Sequence, residues 1–66
     1  MEIFADWFAS KRLALLRFAT ALCLDPGTAQ DVVQEVAYRA HGRWTAIQGL
    51  DQPDAYLRRM VINEYL

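Results

Sequence analysis

The chain has 66 residues, 55% of them hydrophobic, and a formal net charge of −1; that confines it to one small domain burying only about 60% of its unfolded surface. One Cys and one His exclude a disulfide framework and a metal cluster built on such ligands, so no cofactor is expected. No apolar run approaches the roughly 18–20 residues that cross a bilayer. The opening "MEIFADWFAS" carries acids where a signal peptide carries bases, so a cytoplasmic protein is expected.

In chain order, a first helix is predicted over about 3–24. Phe4, Phe8, Leu15, Phe18, Ala19 and Leu22 fall on one side at helical spacing. Leu13, Leu16 and Leu24 lie well round from that stripe, and burial on two sides accounts for them better than a partner surface. "LDPGT" (24–28) then stops the helix at Pro26 and Gly27. Thr28 and Asp31 fit a capping box that would open the next helix.

The second helix is predicted over about 28–44. Val33, Val36, Ala37 and Ala40 form its apolar face, while Asp31, Gln34, Glu35 and Tyr38 centre almost opposite. Arg39 balances only Glu35 within the helix. This stripe is either an ordinary solvated face or, with two carboxylates, an amide and a Tyr ring together, one that suits an Arg-rich partner helix. His41-Gly42 interrupts the end of this helix, with Gly42 costing about 1 kcal/mol against Ala. Trp44 is in phase with Val33 and Ala40 and reads as core.

Gly49 breaks the chain again, Asp51 can cap, and Pro53 fits the first turn of a third helix over about 52–66. Leu57, Met60 and Val61 form one apolar face; Ala55, Ile62 and Tyr65 form another. Tyr56, Arg59 and Asn63 share a strip, with Arg58 pointing toward Ile62 and Tyr65. The strip is either a solvated basic spot, with Asn63 bonding a neighbouring loop, or a nucleic-acid face on which Arg suits phosphate, Asn a base edge and Tyr a stacking plane. No window alternates as a strand does. The expectation is an all-α, three-helix bundle occupying residues 1–66. Its last helix stops uncapped, as though cut from a longer chain.

A domain holding duplex DNA unaided usually has a basic footprint. None is visible here, so a second body would have to supply the tether. "TAQDVVQEVAYRAHGRW", followed by an Asp-x-Pro break and "AYLRRMVINEYL", resembles region 2 of bacterial sigma factors, most closely the extracytoplasmic-function group. The family's Asp-x-x-Gln-Glu is matched by Asp31, Gln34 and Glu35, and its Arg-x-x-x-Asn by Arg59 and Asn63. The preceding "LLRFATALCLD" is similar to the family's first helix, so the resemblance spans essentially the whole chain.

The resemblance implies that Asp31, Gln34 and Glu35, with Tyr38 beside them, dock on the clamp helices of the largest subunit of core RNA polymerase. It implies that Arg59 and Asn63, with Tyr56 and Arg58 nearby, touch the non-template strand of promoter DNA. There the domain would recognise and melt the −10 element, capturing an unstacked base. An anti-sigma factor covering these faces is a further partner it suggests. The loop and basic helix that follow the Asn in the family, and a second, helix-turn-helix domain, are absent from this sequence.

An enzyme is disfavoured: His41, Cys23 and the carboxylates fall on different helices and form no nucleophile motif. The alternative is a self-associating helical module without a DNA role, the isolated domain pairing as a homodimer.

Overall fold

The first helix, α1 (Phe4–Cys23), spans about 30 Å and forms one wall of the molecule. In the computed structural model, which describes residues 3–66, it is followed by α2 (Pro26–Gly42), α3 (Trp44–Gln48) and α4 (Pro53–Tyr65). The described residues contain no strand, as the periodicity required. Met1 and Glu2, the start of the expected domain and of its acidic opening, lie outside them.

Three long helices form the expected bundle, and α3 is an addition. α1 contributes Trp7, Phe8, Leu15 and Ala19 to the core, and α2 contributes Ala29, Val32, Val33, Val36 and Ala40. Ile47 comes from α3, and Leu57, Met60 and Val61 from α4. Ala19, Ala29, Val33, Val36, Ala40 and Val61 are completely buried; such small side chains let the helix backbones approach closely. A radius of gyration of 11.2 Å is what about 66 close-packed residues give.

Helix starts differ from expectation in an instructive way. α2 begins at Pro26, with Asp25 as its N-cap in an extended conformation. Asp25 accepts from the Thr28 backbone N–H at 2.8 Å and from the Thr28 hydroxyl at 2.7 Å. Thr28 therefore serves as the third helical residue rather than the cap. The reason is local: a residue before proline is pushed to extended geometry, which is cap geometry, and Pro26 is pre-set for the first helical position. Asp31 is thereby released from any capping duty.

The N-cap of α4 is Gln52, not Asp51, and no side chain bonds that helix start. Pro53 does occupy the first turn. Lys11 of α1 pairs with Asp54 in the same turn at 3.1 Å.

α1 ends on Leu24 in the left-handed region (φ 59°), its N–H bonding the Thr20 carbonyl at 2.8 Å. The second strip of α1 is not buried on two sides. Leu16 packs against the core, but Leu13 is 59% exposed and Leu24 87%. On α4 the second apolar face is likewise open at Ile62 and Tyr65.

α2 does end at Gly42, and the chain bends through Arg43 into α3. The bend carries Trp44 back onto Trp7 (ring centroids 4.9 Å apart) and Phe4 (5.5 Å). His41 also lies against Phe4, at 5.2 Å. Trp44 thus packs on the core as a half-buried aromatic.

Candidate nucleic-acid and protein interfaces

The amphipathic pattern of α2 positions its outward ridge. With Val33, Val36 and Ala40 fully buried, Asp31, Gln34 and Tyr38 stand exposed; Tyr38 is 77% open. No side-chain hydrogen bond or ion pair within the described residues occupies Asp31 or Gln34. Glu35 is half-buried, its carboxylate 3.1 Å from Arg39 Nε. Arg39 does not balance Glu35 alone: the same Nε lies 3.1 Å from Glu64 of α4. The ridge remains open and acidic, with Asp31 its free charge and Glu35 partly neutralised.

α4 buries Leu57, Met60 and Val61, and turns Arg58, Arg59, Ile62 and Asn63 outward. Phe18 of α1 joins Ala55, Arg58, Arg59, Ile62 and Asn63 around a broad open groove of about 660 Å³. Its floor is apolar and its rims are guanidinium groups. Arg58 also reaches the groove between α1 and α4 that holds Lys11 and Asp54.

Tyr56 is half-buried and packs against the core. What it offers outward is its hydroxyl, which accepts from Arg43 Nη1 at 2.9 Å. Arg43 is the residue that sequence reasoning missed. It lies at the α2–α3 bend, outside any helical stripe, and lines a groove of about 260 Å³ with Arg39, Met60, Asn63 and Glu64. Its one signal was its place four residues beyond Arg39. Asn63 therefore stands on the crest between two grooves, each with at least one guanidinium on its wall.

Charge is segregated between the two surfaces. Among the described residues, Arg43, Arg58 and Arg59 have no carboxylate within 4 Å, and neither does Asp31 have a cation. The α4 side is left net positive and the α2 ridge net negative. The two surfaces meet through the Glu35–Arg39–Glu64 bridge alone among the described ion pairs. No group of three or more metal-ligating side chains occurs among the described residues. No helix there is long and apolar enough to cross a membrane.

The sigma-70 region 2 family matches residues 7–66. The RNA polymerase sigma-E factor of Streptomyces coelicolor is 43% identical over 60 residues, which is 91% of this chain and 34% of the relative. That of Streptomyces avermitilis matches with the same identity and coverage; that of Streptomyces antibioticus is 42% identical over 91% of this chain and 33% of its own length. The chain thus spans about a third of the length of the curated relatives it matches. No solved structure matches it. An all-helical bundle carrying Asp31-x-x-Gln34-Glu35 on one open face and Arg59-x-x-x-Asn63 on another agrees with that match, and the chain belongs to the sigma-70 region 2 family.

Proposed function

We propose that this chain is the part of a transcription initiation factor that binds core RNA polymerase and opens promoter DNA in the bacterial cytoplasm. Asp31, Gln34, Glu35 and Tyr38 dock on the basic clamp helices of the polymerase largest subunit. Arg58, Arg59, Asn63 and Tyr56 face the non-template strand of the −10 element, where Asn63 reads an unstacked base. The supporting observation is the open acidic ridge on α2, with Asp31 unpaired among the described residues. Polymerase then supplies the tether that a net charge of −1 cannot. An anti-sigma factor that covers either surface would silence the domain. The reading assigns the chain no catalysis of its own.

Glu35→Arg is expected to abolish binding to core polymerase in a pull-down while leaving helicity by circular dichroism unchanged. Retained binding would reduce the ridge to a solvated face.

The open apolar residues Leu13, Ile62 and Tyr65 favour a second reading, a homodimer of the isolated domain. It predicts a melting temperature that rises with concentration and does not respond to Glu35→Arg.

A further inference from the structure

Arg39 and Arg43 are four residues apart across the end of α2, yet their charges are committed differently. Arg39 Nε lies 3.1 Å from both Glu35 and Glu64 and is neutralised twice over. Arg43 has no carboxylate within 4 Å among the described residues. Its contact is the Tyr56 hydroxyl, which accepts from Nη1 at 2.9 Å. A hydroxyl that accepts from a guanidinium keeps its own proton to donate, and the cation polarises it as a donor. Arg43 retains further N–H groups in a planar fork. The pair therefore presents several donors, net positive, at one exposed point.

The ligand chemistry that fits is an anion with two free oxygens on one centre, as in a phosphodiester. Arg43 and Asn63 line the same groove, floored by Met60. Glu64, the carboxylate that lines that groove, is already held by Arg39. Tyr56 and Asn63 are seven residues apart on α4, about 10 Å along its axis.

We propose that Arg43 and Tyr56 form a phosphodiester clamp that holds a single strand's backbone beside Asn63. This rests on the promoter reading above. It gives Tyr56 a hydrogen-bonding role in place of the stacking role its residue type suggested. Asn63 selects the base; the clamp sets the register of the strand without reading sequence.

The test titrates fluorescent single-stranded oligonucleotides of several sequences into the chain assembled with core RNA polymerase, across a salt series, subtracting binding by core polymerase alone. Arg43→Ala is expected to weaken binding about tenfold for every sequence alike. It should also flatten the dependence of log affinity on log salt by about 0.7, the share of one phosphate on a single strand. Arg43→Lys keeps the charge but not the fork, so it should restore the salt slope and only part of the affinity. Tyr56→Phe should weaken all sequences by about threefold with the slope unchanged. Should Arg43→Ala fail to fold, as judged by circular dichroism, the Lys and Phe variants carry the comparison. Wild-type affinity and slope in Arg43→Ala, or in both of those variants, overturn the clamp; if Asn63→Ala still flattens the sequence preference, the promoter reading stands. A wild-type protein with no sequence preference removes the promoter reading and the clamp together.

Discussion

α2 and α4 are built alike on the inside and differently on the outside. Each starts on a proline and buries one stripe of apolar side chains in the shared core. Outward, α2 shows only polar groups and a tyrosine, and its start is closed by Asp25. α4 alternates arginines with Ala55, Ile62 and Tyr65, and no side chain caps its start. A polar ridge costs the free domain nothing in water and can wait for a charged protein partner. A face mixing guanidinium and apolar groups suits a ligand that is both charged and planar, as a melted DNA strand is.

The largest effect that sharpens this contrast is internal. Leu57→Ala, on the buried side of α4, is expected to cost about 2–5 kcal/mol. A domain of this size holds only about 3–10 kcal/mol in total, so urea denaturation should show partial or complete unfolding. Ile62→Ala, five residues on and facing out, is expected to cost less than about 1 kcal/mol in the same titration. Equal costs would mean that the outer face of α4 is covered.

Next in size is the proposed base contact. Asn63→Ala should lose about 1–3 kcal/mol of discrimination between the preferred oligonucleotide and its single-base variants, read by fluorescence titration of the polymerase complex. The same substitution should leave polymerase binding unchanged, because the proposed polymerase contact lies on α2.

Smaller still is Leu24→Gly, between α1 and α2. Leu24 adopts φ 59° and is almost fully exposed; glycine relieves about 1 kcal/mol of left-handed strain without losing packing. The melting temperature should rise by about 4–8 °C.

The smallest effect distinguishes the two helix starts. Hydrogen bonds from the Thr28 hydroxyl, then from its backbone N–H, hold the Asp25 carboxyl below its ordinary value of 3.8. A depressed folded-state value means that this stabilisation is complete above pH 3.8 and fades as pH falls through the lower folded-state value. Asp25→Asn keeps an acceptor for α2 and should make acid unfolding below that pH less steep, as followed by circular dichroism. α4 has no such group at its start.

Much of this was legible in the residues. Three long helices, their apolar stripes, Pro53 and the outward placement of Asp31, Gln34 and Tyr38 follow from helical spacing alone. Three things were not. The cap passed from Thr28 to Asp25 because a proline's hold on its predecessor outweighed a capping-box pattern. α3 is five residues long, too short for a period to register. The second partner of Arg39 and the link from Arg43 to Tyr56 join different helices, and no local pattern carries such pairings. The strip at Leu13 and Leu24 shows the converse: apolar spacing marks a surface without saying that this chain covers it.

The most direct measurement of the central claim is a charge swap across the α2 ridge. Asp31→Arg should abolish binding to core polymerase, and reversing a basic residue of the clamp helices to Glu should restore it. Restoration in the paired variants with neither single variant binding is the predicted result; undiminished binding by Asp31→Arg would contradict the account.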